Sequence, residues 1–383
     1  MSRPKLTLVV PVATHSIDQQ SINNHSPINA ANDTNQSYRV DNDSNIFINN
    51  KLNLYITPSG TQYHSPVTNN LNTAANQFSI SDFQLLHVIG TGNSSTVYKA
   101  IHIQSQYHVA IKQMNIYDTN ARHQLYKELY TLHSISNNTM NVSHMNNTLL
   151  SFYGCYYQSS ILSLVLEYMD LGSMDSILSQ LSFHYITDPS IISYIIRHIL
   201  HSLYILRQQH QLHRDIKPHN ILINSAGSIK LSDFGLTREL INDTVQQCNT
   251  YVGTLIYMAP ERITGQKYSY SSDIWSVGLI IYLLAVGIHP YTQHNINSTN
   301  KNFCGGQIGL IQSIVNDDEP RLDNNIYDND LCDALRKCLC KDPKQRYTAE
   351  QLLQHKFITK YQYCTTNEFK LWLQHNHIVS NAG

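Results

Sequence analysis

Two short segments in the second half of the chain carry the residues that phosphoryl transfer requires. His213–Asn220 (HRDIKPHN) is followed, 13 residues after its end, by Asp233–Gly235 (DFG). Transfer of a phosphoryl group needs a carboxylate that orients the attacking hydroxyl, and oxygen ligands that hold Mg²⁺ on the nucleotide. Asp215 can supply the first, and Asn220 and Asp233 can supply the second. The ordered pair of segments therefore predicts a phosphoryl-transfer site.

A glycine-rich segment, Gly90–Val97 (GTGNSSTV), lies between two predicted strands. Its glycines would let backbone amides approach phosphate groups closely, although Ser95 occupies the third position of the G-x-G-x-x-G pattern. The strand that follows argues against a dinucleotide site, which needs a helix after the glycines. An ordinary hairpin turn is the alternative, and it is disfavoured because a lysine motif follows in order.

That lysine is Lys112, at the end of the apolar run Val109–Lys112 (VAIK). Its apolar neighbours on the strand favour a position that reaches into a cleft, whereas a solvated strand lysine is the alternative. Glu128, 16 residues downstream in a predicted helix, is the candidate carboxylate partner.

Composition limits the compartment and the partners. The chain has 383 residues, of which 42% are hydrophobic and 14% charged, and its formal net charge is −1. This balance favours neither nucleic acid nor an anionic membrane as a partner. The seven cysteines lack zinc-type spacing and indicate reduced thiols, hence a cytoplasmic protein. No secretory signal is evident, and the longest apolar run, Val277–Ile288, is shorter than the roughly 20 residues of a spanning helix, so we expect it to be a buried helix.

The organisation along the chain predicts an α+β fold with a small β-rich N-lobe and a large, mainly α-helical C-lobe, joined near Glu167–Gly172. Residues 1–78 are rich in asparagine without sustained periodicity and are predicted to be disordered. Strands are predicted at Phe83–Ile89, Thr96–His102, His108–Met114, Leu149–Gln158 and Ile161–Met169. Helices are predicted at Asn120–Ser136, Ile191–His210, Asp330–Leu339 and Thr348–His355, with a loop at Asn137–Asn147.

Taken in order, these motifs resemble the protein kinase signature set, which the Ala-Pro-Glu ending of Gly253–Glu261 completes. The resemblance covers about residues 79–358 and implies ATP and Mg²⁺ as cofactors. It implies that Asp215 is the base, that Lys217 belongs to a Ser/Thr-type catalytic loop, and that Lys112 pairs with Glu128. Asn220 and Asp233 would be the metal ligands. The implied nucleotide-binding residues are Ile89, Gly90, Thr91, Gly92, Asn93, Ser94, Ser95, Thr96, Val97, Ala110, Lys112, Glu167, Met169 and Leu222.

Two structural roles follow from the same resemblance. Asp273 would cap the backbone of the catalytic loop, and Arg346 would pair with Glu261.

Four further details resemble the MAP kinase kinases. They are the segment Gly253–Leu279, a plant-type pair of activation threonines at Thr244 and Thr250, a basic and leucine-containing docking motif at residues 3–8, and a helix at Asn367–Leu373 in the tail 359–383. The resemblance implies dual-specificity transfer to Thr and Tyr of a MAP kinase, with an upstream MAP kinase kinase kinase as activator. A phosphate on Thr244 or Thr250 would be received by Arg214.

Two alternatives remain open at this point. One is another Ser/Thr kinase, such as a MAP kinase kinase kinase or a germinal-centre-type enzyme. The other is a pseudokinase scaffold, disfavoured because Lys112, Asp215, Asn220 and Asp233 are all present.

Overall fold

The computed structural model divides the chain into two compact units. The first comprises Met1–Arg122 and Phe152–Tyr168, and the second comprises His123–Ser151 and Met169–Gly383. The described residues are 38–41, 46–49, 54–57, 60–64, 71–72, 78–92, 95–115, 148–233, 255–292 and 306–379. The division falls between Tyr168 and Met169, inside the stretch predicted to join the lobes.

The first unit contains a five-stranded antiparallel sheet in the order β6-β7-β8-β10-β9. Its strands are β6 (Phe83–Thr91), β7 (Ser95–His102), β8 (Tyr107–Asn115), β9 (Phe152–Gln158) and β10 (Ile161–Glu167). One face of the sheet packs on a cluster of buried aromatic and aliphatic side chains that includes Phe78, Phe83 and Tyr156. Burial of this face is the main driving force for folding the unit.

A second antiparallel sheet within residues 38–72 corrects the expectation of disorder for that part of the region 1–78. Its strands, in sequential order, are β1 (Tyr38–Asp41), β2 (Ile46–Asn49), β3 (Leu54–Thr57), β4 (Gly60–His64) and β5 (Leu71–Asn72). Short runs of aromatic and β-branched residues favour strands, and the asparagine-rich and Pro-Ser sequences between them favour turns. Averaging the composition over the whole region concealed that alternation.

The second unit is mainly helical, as predicted. Its helices are α1 (Met174–Gln180), α2 (Pro189–Gln208), α3 (Pro260–Ile263), α4 (Tyr270–Val286), α5 (Gly306–Asn316), α6 (Asn329–Cys338), α7 (Ala349–Leu353), α8 (Lys356–Lys360) and α9 (Thr366–His375). A hairpin of β11 (Ile221–Ile223) and β12 (Ile229–Leu231) completes it. The predicted α+β division into a sheet-containing and a helical lobe is confirmed.

The apolar run in α4 is a buried helix, as expected. Val277, Leu279 and Leu284 are fully buried in the second unit. The helix ends at Val286 rather than Ile288, because Gly287 takes a left-handed conformation (φ 83°) that glycine adopts without steric cost. Within the described part of the chain, every helix is too short or too polar to cross a membrane.

One strand begins later than predicted. Leu149 forms an isolated bridge with Leu231, and Leu150 N–H donates to the Leu231 carbonyl at 2.9 Å, so these residues belong to the second unit. β9 therefore starts at Phe152 rather than at Leu149. The predicted helix at Asn120–Ser136 and the predicted loop at Asn137–Asn147 lie outside the described residues.

Candidate active site

Lys112 lies on the face of the first unit's sheet opposite the aromatic cluster. Residues directly opposite on neighbouring strands point to the same face, and Lys112 is opposite Val97 on β7. Ala110, two residues earlier on β8, shares this face. Val109 and Ile111 point the other way, into the hydrophobic cluster. The strand alternation thus brings together Val97, Ala110 and Lys112, with Lys112 only 5% exposed.

At the glycine-rich turn between β6 and β7, Gly92 N–H donates to the Ser95 carbonyl at 2.8 Å. Thr91 pairs with Thr96, and Gly90 pairs with Val97. Ser95 begins β7 and has no positive φ, so a side chain at the third position of the motif causes no backbone strain. Asn93 and Ser94 lie outside the described residues, as does Glu128.

The remaining predicted nucleotide-binding residues are distributed over both units. Ile89 lies on β6 and is 43% exposed, and Glu167 ends β10 opposite Val109. Because Val109 faces the aromatic cluster, the Glu167 side chain lies on the face opposite Lys112. In the second unit Met169 is buried and its carbonyl accepts from Gly172 N–H, while Leu222 lies at the centre of β11.

Asp215 is held by two neighbours in the catalytic loop. Its Oδ2 accepts from Lys217 Nζ at 2.8 Å and from Asn220 Nδ2 at 2.9 Å. Asn220 Nδ2 also donates to the Asp215 carbonyl at 2.7 Å. These charge-assisted bonds fix the orientation of the carboxylate. The structure therefore brings together three predicted site residues, namely Asp215, Lys217 and Asn220.

The backbone of this loop is anchored on Asp273, as the sequence predicted. The Asp273 carboxylate accepts from His213 N–H at 3.0 Å, from Arg214 N–H at 2.9 Å, and from the Tyr268 hydroxyl. Burial raises the pKa of Asp273, and the interactions with His213, Tyr268 and the backbone amides offset only part of that rise. Asp273 thus fixes the two residues that precede Asp215.

The His213 ring is uncharged and forms hydrogen bonds at both ring nitrogens. Burial lowers the pKa of His213, so the uncharged form is favoured. Its Nε2 lies 2.9 Å from the Ser232 carbonyl, which fixes the Nε2–H tautomer, and its Nδ1 accepts from Asp215 N–H at 3.3 Å. The ring therefore links the catalytic loop to the residue before Asp233.

Two of these residues have an unusual backbone conformation. Arg214 has φ 70° and Asp233 has φ 59°, both in the left-handed region that side chains generally disfavour. Such strain persists only where the surrounding contacts impose it, and it occurs often at functional sites. The Asp273 carboxylate provides that restraint for Arg214.

The donor atoms fit a hard divalent metal. Because Asn220 uses Nδ2 for both bonds to Asp215, its Oδ1 is the atom left to coordinate, and Asp233 provides a carboxylate. Among the described residues no group of three His, Cys, Asp or Glu side chains could bind a metal by itself. One carboxylate and one amide suit a metal that takes its other ligands from nucleotide phosphates and water.

The end of the activation segment is fixed by an ion pair that the sequence also predicted. Arg346 donates from Nη1 and Nη2 to the two Glu261 oxygens, each at 2.7 Å, and Ser272 donates a third bond at 2.8 Å. Burial raises the pKa of Glu261, but Arg346 and Ser272 outweigh it, so the pKa ends below its usual range.

The C-terminal helix predicted for docking is present as α9. Its apolar residues Phe369 and Leu373 are fully buried, and Phe369 stacks on Tyr194 of α2 at 4.9 Å. Tyr194 also donates to Thr366 Oγ1 at 3.0 Å. Leu371, 52% exposed, points away from this contact. Thr244, Thr250 and the docking motif at residues 3–8 lie outside the described residues.

Sequence reasoning missed Tyr268 and Arg262. Tyr268 supplies the third bond to Asp273, and the Arg262 guanidinium lies 4.8 Å from the centre of the Tyr268 ring. Both residues lie in a stretch singled out only for its overall similarity, and no general motif marks either of them.

Comparison with known proteins agrees with this geometry. The protein kinase domain family model matches residues 83–358. Mitogen-activated protein kinase kinase 2 of Arabidopsis thaliana is 36% identical over 310 residues, 80% of each chain. Mitogen-activated protein kinase kinase 1 of the same plant is 34% identical over 76% of this chain and 78% of its own. Dual specificity mitogen-activated protein kinase kinase dSOR1 of Drosophila melanogaster is 34% identical over 74% and 72%. Proteins with this domain use ATP and a divalent metal. This chain belongs to the protein kinase family and, within that family, to the MAP kinase kinases.

Proposed function

We propose that this chain is a dual-specificity kinase that transfers the γ-phosphate of ATP to Thr and Tyr in the activation loop of a MAP kinase. The observation that carries the proposal is the oriented Asp215 carboxylate, bonded to Lys217 and Asn220 in a loop anchored on Asp273. A scaffold that only binds partners does not require this arrangement. The Drosophila relative is named as a dual specificity kinase, which supports transfer to both residue types.

Each catalytic residue has a distinct role. Asp215 orients the substrate hydroxyl and receives its proton, and Lys217 and Asn220 hold that carboxylate in place. Asn220 Oδ1 and Asp233 are assigned to Mg²⁺, and Lys112 to the α- and β-phosphates, with Glu128 as the partner of Lys112. Val97, Ala110 and Leu222 are assigned to the adenine. Mg²⁺-bound ATP supplies the phosphoryl group.

The partners follow from the family. The substrate is a MAP kinase that binds the docking motif at residues 3–8. The activator is an upstream kinase. Both partners are in the cytoplasm. The second docking site is proposed on α9, where Phe369 and Leu373 are buried within this chain and so are not offered to a partner. The upstream kinase is therefore expected to contact the outer face of α9 around the exposed Leu371.

Activation is proposed to follow phosphorylation of Thr244 and Thr250. The phosphate adds about −1.5 to −2 charge, which an arginine fork binds well. Arg214, next to Asp215, is the proposed receiver. The double variant Thr244→Ala/Thr250→Ala should not respond to an upstream kinase, and full activation of that variant would reject the switch.

The function is tested by incubating the purified chain with ATP, Mg²⁺ and candidate MAP kinases, with separate detection of phosphothreonine and phosphotyrosine. Asp215→Asn should lower the rate by at least about 100-fold, the usual range for a lost general base. Asp323→Asn is the matched control, since Asp323 accepts from Asn325 in a surface turn that asparagine can also form. Equal rates for Asp215→Asn and the parent would reject the enzyme. Phosphothreonine without phosphotyrosine would favour another Ser/Thr kinase.

A further inference from the structure

A cavity in the second unit lies between three of its segments. It is bounded by the C-terminal part of α2, the first turn of α4, and the segment 343–349 that leads into α7. Its volume is about 240 Å³, more than the roughly 150 Å³ of an apolar cavity that holds benzene. Its lining includes none of the predicted catalytic, nucleotide-binding or metal-binding residues that the structure describes. The cavity is therefore large enough for a small organic molecule, and it is distinct from the candidate active site.

Buried apolar side chains form much of the cavity wall. Leu203 and Leu206 of α2, Ile274 of α4 and Ala349 of α7 all line it, and each of them is buried. Contact with such side chains stabilises an apolar ligand, because the ligand leaves water and gains dispersion contacts. The wall therefore favours a ligand with an apolar body.

Polar side chains in the same wall have partners within the chain. Asp273 accepts the three bonds described above, and Arg346 forms its bidentate ion pair. The Ser269 and Ser271 hydroxyls lie 2.7 Å apart, and the Thr348 hydroxyl accepts from a backbone amide in the first turn of α7 at 3.3 Å. Because a buried polar group costs free energy unless it finds a hydrogen-bond partner, these engaged groups select against a polar ligand body.

The exposed rim of the cavity has an excess of positive charge. Arg207, whose side chain is 38% exposed, pairs with Glu350 at 2.7 Å and uses only part of its guanidinium to do so. Lys344 is exposed, and within the part of the chain that the structure describes its ammonium forms no ion pair. Asp342, the nearest acid in sequence, accepts instead from the Lys344 backbone amide and the Gln345 side chain. One positive charge at the rim is therefore unmatched.

The charge of the rim and the chemistry of the wall together define the ligand. A carboxylate matches a single unmatched positive charge, and its two oxygens accept from an ammonium and a guanidinium at once. We infer that this cavity binds a small apolar monocarboxylate, with its apolar body against Leu206 and Ile274 and its carboxylate at Lys344 and Arg207. The wall includes the side chains that anchor the catalytic loop and the activation segment, so the ligand lies next to both anchors.

Ligand-observed NMR on the full chain tests the site with phenylacetate and octanoate, which have equal numbers of carbon atoms, and with their uncharged amides. At least one carboxylate should bind with a dissociation constant of about 1 mM or lower, the range for ligands of this size. Its amide should bind about 3- to 10-fold more weakly, because it lacks the charge that strengthens the hydrogen bonds. Lys344→Gln should weaken the carboxylate by a similar factor and leave the amide unchanged. Lys356→Gln, an exposed lysine outside the cavity, should change neither.

Two further measurements locate the ligand. Ala349→Met fills the cavity and should abolish binding of the carboxylate. In protein with isotope-labelled isoleucine methyl groups, the ligand should shift the Ile274 resonance, which is assigned by its loss in Ile274→Val. The methyl measurement uses the unaltered chain, so it decides the location even if Ala349→Met does not fold.

Binding of phenylacetate alone indicates an aromatic ligand body, binding of octanoate alone indicates an aliphatic one, and either result or both supports the inference. The inference is overturned if neither carboxylate binds saturably below about 10 mM, if acid and amide bind equally, or if the Ile274 resonance does not move. Unchanged binding in a folded Ala349→Met variant overturns it as well. Because no readout uses phosphoryl transfer, failure to phosphorylate any MAP kinase would contradict the proposed function alone.

Discussion

Arg346 binds Glu261 through two parallel N–H···O bonds of 2.7 Å, although 85 residues separate them in the sequence. Arg346 also donates from Nε to the Cys340 carbonyl at 2.6 Å, and its guanidinium lies 5.0 Å from the Trp275 ring centre. The pair fastens the end of the activation segment to the interior of the helical unit.

Replacing Arg346 with methionine should destabilise the protein by about 3–5 kcal/mol, because a buried carboxylate loses its partner. The depressed pKa of Glu261 contributes stability above its ordinary value of 4.5, which is lost as pH falls through the folded-state pKa. Urea unfolding should therefore be measured at pH 7 and pH 4. At pH 7 the double variant Arg346→Met/Glu261→Gln should lose less unfolding free energy than Arg346→Met. Equal losses at pH 7 would show that the unpaired charge is not the cause.

Asp273→Asn should lower kcat about 10- to 100-fold with little change in KM for ATP. An asparagine offers one acceptor oxygen where Asp273 accepts three bonds, so at least one buried donor at His213, Arg214 or Tyr268 loses its partner, at about 1–3 kcal/mol. Steady-state kinetics on a MAP kinase would measure the change, with Asp323→Asn as the control. An unchanged kcat would show that the anchor does not position Asp215.

Mild acid should destabilise the helical unit through His198. Burial lowers the pKa of His198 to about 4, and its Nδ1 bonds to the Tyr194 carbonyl at 2.8 Å. Because the folded pKa lies below the unfolded value of 6.5, stability is full above pH 6.5 and falls between pH 6.5 and 4, by up to about 1.4 kcal/mol per pH unit. The urea midpoint of His198→Gln should fall less steeply over that range, whereas that of His375→Gln, an exposed control, should follow the parent.

Gly227→Ala should loosen the C-terminal helix. Gly227 has φ 83°, and a Cβ there would lie 2.9 Å from the Thr366 carbonyl oxygen and 3.0 Å from Thr366 Cγ2. Gly265 has φ 81° and nothing within 4 Å of its Cβ position. Gly265→Ala therefore measures the backbone cost alone, about 1–2 kcal/mol. Limited proteolysis should therefore cut near α9 faster in Gly227→Ala than in Gly265→Ala. Equal rates would show that the contact with Thr366 is not restrictive.

Ser95→Gly should not improve nucleotide binding. Ser95 begins a strand without positive φ, so glycine is not required there and costs about 0.5–1 kcal/mol of stability. KM for ATP should stay within a factor of about 2, because no backbone strain is relieved. A clear fall in KM would show that the serine side chain hinders the phosphates.

Much of this molecule follows from local sequence. The strands β6, β7, β8 and β10 and the helix α2 were predicted to within two residues, because hydrophobic periodicity is a local property. The prediction failed at β1–β5, where short strand segments are diluted by asparagine, and at Leu149, which pairs with Leu231 far along the chain. Such pairings are decided by partners distant in sequence.

The candidate active site shows the same contrast between what the local sequence predicts and what distant contacts decide. The sequence by itself determined the chemistry, because Asp215, Lys217, Asn220 and Asp233 have the functional groups and the spacing that phosphoryl transfer needs. The tertiary structure alone decided that Arg262 joins Arg214 at Tyr268, and that Phe369 and Leu373 face inward while Leu371 stays exposed. Motif spacing reports which groups occur along the chain, whereas the position of a charge or an apolar face depends on the packing of segments that share no local pattern.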